Sequence, residues 1–127
     1  MQTWDAIRAR RNVRSYQNTP VPDADLNRIA EAAWRAPSAS NRQHWDFVIV
    51  TDPDRLRALS AVWRGAGHIA GAAAAIALVV PRTDDDRTRL LDYYDLGQAT
   101  YAMALAAASS AVASAYVSMV NSSARAR

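Results

Sequence analysis

From Leu96 to Ala124 the chain carries no charged side chain over 29 residues, and that stretch restricts the fold more than any other feature. A helix with one face in water normally shows charge along that face. This run therefore lies either inside protein or inside a bilayer. It is built from alanine, serine and threonine with Gln98, Asn121, Tyr101 and Tyr116, and not from the leucine and isoleucine of a membrane span. It reads as a helix buried inside protein, followed by a strand. Ile69–Val80, the other apolar run, has twelve residues counting Gly71 and is too short to cross a bilayer. Met1-Gln2-Thr3-Trp4-Asp5 lacks the basic start and apolar core of a signal peptide. No membrane partner is expected, and the expected compartment is the cytoplasm.

A chain of 127 residues is long enough for one domain with its own core. Its composition, 50% hydrophobic and 21% charged, is that of a globular rather than a disordered chain. The absence of cysteine excludes thiolate nucleophiles, disulfide frameworks and zinc–cysteine sites. With His44 and His68 as the two histidines, a histidine-rich metal site is not expected either. All 15 basic residues are arginine. Codon bias in an alanine-rich chain and a functional demand for guanidinium groups both account for that. The position of the charge is more informative. Residues 1–14 hold Arg8, Arg10, Arg11 and Arg14 against Asp5, a balance of +3, while the rest of the chain has eleven arginines and eleven acids. A surplus confined to one short stretch implies a local anion site and not a nucleic-acid surface.

The apolar spacing predicts elements in the order α-α-β-α-β-α-β. Thr3 can cap a first helix through about Arg11, and Asp23 a second in which Leu26, Ile29, Ala30 and Ala33 share a face. The second helix must stop near Ala36, because Pro37 follows. Trp45–Thr51 is a strand by its aromatic and β-branched content. Asp52-Pro53 is a cap and first-turn pair for a third helix bearing Leu56, Leu59 and Trp63. Gly65, Gly67 and Gly71 leave the next stretch ambiguous, and Ala75–Pro81 reads as a second, fully buried strand. Asp84-Asp85-Asp86 can cap a long helix from about Arg87 to Ser110, and Ala115–Val120 is a third strand. The expected fold class is α+β, a mixed sheet flanked by helices. A single domain covers 1–120, with 121–127 as a tail.

Two segments carry chemistry. Arg10-Arg11-Asn12-Val13-Arg14 puts three guanidinium groups within five residues at the end of the first helix. Arginine suits phosphate, since its planar fork donates two parallel charged hydrogen bonds. A helix C-terminus also favours cations through its dipole, with no ligand needed. On the residues alone both readings stand. The second segment, Pro37-Ser38-Ala39-Ser40-Asn41-Arg42-Gln43-His44-Trp45, supplies neutral donors and acceptors suited to a heterocycle with alternating carbonyl and N–H groups. A polar loop that only faces water has the same composition.

Taken together, the two segments resemble the nitroreductase family of flavoenzymes. Arg10-Arg11-Asn12-Val13-Arg14-Ser15-Tyr16 resembles the family's Arg-Arg-Ser-x-Arg-x-Phe start, and Ala36–Phe47 resembles its Ala-Pro-Ser-x-x-Asn-x-Gln-Pro-Trp-x-Phe motif. Asp52-Pro53 and Tyr94-Asp95-Leu96-Gly97-Gln98-Ala99 also fit, so the likeness runs from about Thr3 to about Val120. The resemblance implies a homodimer holding FMN at the subunit interface. It also implies two-electron, ping-pong reduction of a small-molecule acceptor such as a nitroaromatic, a quinone or a free flavin, with NADH or NADPH as donor. Residue by residue, it implies that Arg10 and Arg14 hold the FMN phosphate and ribityl chain, and that Arg11 and Asn12 add further flavin contacts. Ser38 and Asn41 would approach the flavin ring from the partner subunit, with Pro37 and Gln43 shaping their loop. No side chain need act as acid or base, because the flavin carries the redox chemistry.

The sequence departs from the family in three places. His44 stands where the family has proline; a solvent-facing histidine is expected there, and a contact with flavin or substrate is the alternative. Ala111-Val112-Ala113-Ser114 replaces Gly-Leu-Gly-Ser, placing methyl groups in a turn that wants glycine backbone angles. The family's usual C-terminal third, with a further flavin contact region and a basic phosphate ligand, has no counterpart. The competing expectation is therefore a non-catalytic flavin-binding protein or an inactive, truncated family member. His68 is expected to be structural, Asp84–Asp86 to be a loop and cap rather than a metal site, and Tyr93, Tyr94 and Tyr101 to be core and interface residues.

Overall fold

In the computed structural model, residues 1–117 are described. Four helices, α1 (Thr3–Ala9), α2 (Asp23–Trp34), α3 (Pro53–Ser60) and α4 (Asp86–Ser109), accompany two strands, β1 (Asp46–Val50) and β2 (Ala75–Val79). Short 3-10 segments occupy Ala39–Asn41 and Arg64–Gly71, the second being the glycine-crowded stretch that sequence left ambiguous. The class is α+β, as expected.

The helix starts differ in how they are capped. Asp52 accepts from the Arg55 amide at 3.0 Å and Pro53 fills the first helical position, as the sequence predicts. Asp85 likewise accepts from the Thr88 amide at 2.8 Å and hydroxyl at 2.6 Å, which starts α4 at Asp86. The two other predicted caps are corrected. Gln2 and Pro22 precede α1 and α2, without side-chain cap bonds, so Thr3 and Asp23 are first-turn residues. Asp23 and Asp25 still act favourably there on the helix dipole.

α4 is the spine of the molecule. Its buried positions are Asp92, Asp95, Ala99, Met103 and Ala107, a stripe repeating every three to four residues. Ala99, Met103 and Ala107 pack with Ile29, Ala33 and Ala36 of the α2 region and with Trp45, and Phe47, Ile76, Leu78, Val80 and Val112 close the cluster. Small residues at Ala33 and Ala99, both 0% exposed, let the helices approach closely. This is why so alanine-rich a run can be a core helix.

The sheet is smaller than expected. β1 and β2 pair antiparallel, with Asp46 opposite Val79 and Val50 opposite Ala75. β2 is half-buried, with Val79 46% exposed, so the expectation of a fully buried strand is corrected: among the described residues β2 pairs with β1 alone and is an edge strand. Of the predicted third strand, 115–117 form no strand, and Ser114 makes a single parallel bridge to Asn12. Positions 118–120 and the tail 121–127 lie outside the described residues. No described helix is long and apolar enough to cross a membrane. The charge-free run is a protein-packed helix through Ser109.

α4 ends in a Schellman turn. The Ala111 amide reaches the Ala108 carbonyl at 3.2 Å and the Val112 amide reaches the Ala107 carbonyl at 2.8 Å. That closure needs a left-handed residue, and Ala111 supplies it at φ 56°. The chain then turns back so that the Ser114 carbonyl accepts the Val13 amide at 2.8 Å, fastening the arginine-rich segment to the end of the core helix.

Candidate functional site

The arginine segment leaves α1 at Arg10, and its side chains have different fates. Arg11 donates through Nη1 to the carbonyls of Arg8, at 2.6 Å, and Arg10, at 2.9 Å. Its guanidinium therefore satisfies helix-end carbonyls, the dipole role that composition had left open. Arg10 lies over the Tyr101 ring of α4 at 5.9 Å and donates weakly to Asn12 Oδ1 at 3.4 Å. Arg14 is exposed and forms no ion pair among the described residues. Asn12 and Val13 are held by the bridge to Ser114.

Tyr16 secures the far end of the segment. Its hydroxyl bonds His68 Nδ1 at 3.0 Å, which gives His68 the structural role expected of it. Burial raises the Tyr16 phenol above its usual range, against the opposing pull of the Arg14 charge.

The polar loop begins at Pro37, where α2 has ended, and is held from within and from below. Ser38 Oγ accepts the Gln43 amide at 3.1 Å, and Gln43 Nε2 donates to Asn41 Oδ1 at 2.6 Å. These bonds leave the Asn41 side-chain nitrogen Nδ2, the Gln43 side-chain oxygen and the Ser38 hydroxyl proton available. Asn41 and Gln43 are exposed. From below, Asp95 Oδ2 accepts the Ala39 amide at 3.0 Å, and Asp92 Oδ1 accepts Arg42 Nη2 at 3.1 Å.

Asp92 Oδ1 also lies 2.7 Å from His44 Nε2. His44 is thus a half-buried partner of a buried carboxylate, which corrects the solvent-facing expectation: an acid on α4 captures the ring. Asp92 and Asp95 are 2% and 5% exposed; sequence reasoning did not single out Asp92, and named Asp95 only within the Tyr94–Ala99 motif without a role. The signal was present, since both occupy the apolar stripe continued by Ala99 and Met103.

Beside the loop, a groove of about 700 Å³ runs between α2 and α4, lined among others by Arg35, Pro37, Tyr93, Tyr94, Gln98 and Tyr101. Tyr94 is 71% and Tyr101 46% exposed, so neither is a core residue of this chain. The arginine segment and the polar loop both meet α4, the first at Tyr101 and the second at Asp92 and Asp95. No hydrogen bond or ion pair joins them directly among the described residues.

This α+β fold, whose long helix supports an arginine-rich segment at one level and a polar loop at another, is similar to the fold of solved nitroreductases. The model of the Nitroreductase family matches residues 7–66. A protein of Thermus thermophilus named "NADH dehydrogenase" is 43% identical over 75 residues, covering 59% of this chain and 37% of that protein. In three dimensions, a Desulfovibrio desulfuricans chain assigned as a nitroreductase and solved in complex with FMN superposes with a TM-score of 0.84 at 28% identity, over 98% of this chain and 73% of that one. An FMN-dependent nitroreductase of Clostridium difficile gives 0.73 at 26% identity, over 82% of this chain and 59% of that one. The chain spans well under half the length of the curated relatives it matches, 37% and 40% for two of them.

Proposed function

We propose that this chain is the flavin-binding part of an FMN-dependent oxidoreductase that takes two electrons from NAD(P)H and delivers them to a nitroaromatic, a quinone or a related small acceptor in a ping-pong sequence. The observation that carries the reading is that the family match over residues 7–66 includes Arg10–Arg14 and Pro37–Gln43 together, on a fold shared with an FMN-bound structure. The donor chemistry fits the cofactor. Arg14, exposed and without a carboxylate partner among the described residues, and Arg10, stacked on Tyr101, are free to bind a phosphate. The Arg11 guanidinium is occupied by helix-end carbonyls, so its contribution to flavin, like that of Asn12, comes from the backbone or through local shape.

Ser38, Asn41 and Gln43 keep free hydrogen-bonding atoms suited to the carbonyl and N–H edge of a flavin ring, and Pro37 starts the loop that presents them. When bound, the flavin supplies hydride acceptance and donation. The chain binds it, orients it and stabilises negative charge as it develops. The two halves of the site meet α4 at different levels, consistent with a homodimer in which the polar loop serves the flavin of the partner subunit. We place the protein in the cytoplasm, with residues 1–120 as one domain, and assign it no nucleic-acid partner.

NAD(P)H oxidation coupled to nitroaromatic reduction by FMN-loaded chain tests the reading. Turnover supports the oxidoreductase. Flavin binding without turnover supports the alternative, a non-catalytic flavin-binding protein or inactive member.

A further inference from the structure

The loop that carries the candidate ring contacts is strained. Ser40 and Asn41 lie at φ 53° and Gln43 at φ 50°. Asparagine tolerates the left-handed region, but serine and glutamine adopt it only where surrounding structure compels them. The compelling structure is on α4. Asp92 and Asp95 take two buried positions in a stripe otherwise made of Ala99, Met103 and Ala107.

A buried carboxylate is costly unless it is paired, and an apolar pair of similar size commonly gives a more stable fold. Among the described residues, every partner of these two acids lies in one short segment. Asp95 takes the Ala39 amide and lies 3.6 Å from Arg42, and Asp92 takes Arg42 and His44. Arg42 closes the set by donating through Nε to the Ala39 carbonyl at 3.2 Å. The acids thus hold the two ends of the left-handed stretch, Ala39 and His44, and its one cation.

We propose that Asp92 and Asp95 are positioning residues. Through Ala39, Arg42 and His44 they keep the loop left-handed at Ser40, Asn41 and Gln43, and so fix where Ser38, Asn41 and Gln43 present their free polar atoms to a flavin ring. The inference rests on the flavin reading for what the loop contacts, but not for how the loop is held.

The test uses Asp92→Asn and Arg42→Gln in the full chain, read by amide hydrogen exchange and by titration with FMN and with riboflavin. The amides of Asn41, Arg42 and Gln43 bond Ser38 or Ala39 within the loop. Their exchange therefore reports the loop's conformation and not the mere loss of a carboxylate. Both variants should speed exchange at these three amides by about tenfold or more, the factor for one charged hydrogen bond. Core amides of α2 and α4, such as Ala33 and Met103, should keep their protection.

Affinity for FMN and riboflavin should fall together, leaving their ratio unchanged because the phosphate site is untouched, and the visible band of the bound flavin should shift. Arg42→Gln, at a half-buried side chain, keeps the test open if Asp92→Asn does not fold. Loop amides that exchange as in the parent overturn the proposal, as does faster exchange spread evenly over the chain. If the loop responds but neither parent nor variant binds FMN, the positioning role stands and the flavin reading falls.

Discussion

Ala111 holds the left-handed position that closes α4, at φ 56°, and it is exposed. An L-residue in that region loses about 1–2 kcal/mol to the approach of its Cβ to the neighbouring carbonyl, a clash that glycine lacks. Against this, glycine has more conformational freedom to lose on folding, which offsets about 0.4–1 kcal/mol. Since the Ala111 methyl group is exposed, little burial is given up, and Ala111→Gly should stabilise the fold by about 0.5–1 kcal/mol. For 127 residues that is a rise in Tm of about 2–4 °C.

The two Schellman hydrogen bonds lead directly to Ser114, which fastens the arginine segment. The substitution should therefore leave the slope of urea unfolding unchanged and move its midpoint upward. Ala111→Val, with a β-branched side chain in the same region, should move it down by more than the glycine moves it up. A glycine variant no more stable than the parent, or a valine variant equal to it, would refute the argument that this turn is strained.

Four further outcomes follow from the site and its supports. Arg14→Ala should weaken FMN binding by about 1–3 kcal/mol, the loss of a charged phosphate contact, and leave riboflavin affinity unchanged; equal weakening of both ligands would move Arg14 away from the phosphate. Arg11→Ala should cost about 0.3–1 kcal/mol in urea unfolding through the unsatisfied end of α1, with FMN affinity close to that of the parent.

The raised phenol of Tyr16 favours the neutral form in the fold, so its contribution to stability is complete below pH 10.0 and is lost as pH rises through the higher folded value. Tyr16→Phe should flatten alkaline unfolding above that pH, and an unaltered profile counts against the assignment. The Asp85 carboxyl is lowered from its ordinary 3.8 by the side-chain and then the backbone hydrogen bond of Thr88, helped by Arg87 and Arg89. Its cap is therefore present above that pH and lost as pH falls through the lower folded value. Exchange at the Thr88 amide should quicken at that point ahead of the rest of α4.

Local signals were legible in the sequence wherever the physics was local. Asp52-Pro53 and the Asp84–Asp86 run start helices because a carboxylate reaches the amide three residues on, and nothing distant interferes. The same logic misplaced the caps at Thr3 and Asp23, where the backbone turned one residue earlier. β1 and β2 were readable from side-chain type. The depth of burial of β2 was not, because it depends on what packs around the strand and on how many strands the sheet has.

Both chemical segments were visible as motifs, but not the arrangement that holds the loop. Asp92 and Asp95 lie on the core stripe of α4, and their partners are about fifty residues away in sequence. Periodicity marks them as buried, and only the tertiary structure shows what neutralises them. His44 shows the same limit. A histidine in a polar loop reads as solvated until the acid beneath it is placed.

The most direct test of the account is an FMN titration of the purified chain followed by flavin fluorescence. Saturable binding of one flavin per chain in the micromolar range or tighter, weakened by Arg14→Ala, is the expected result. A folded, soluble chain that leaves flavin fluorescence unchanged at every concentration would contradict it.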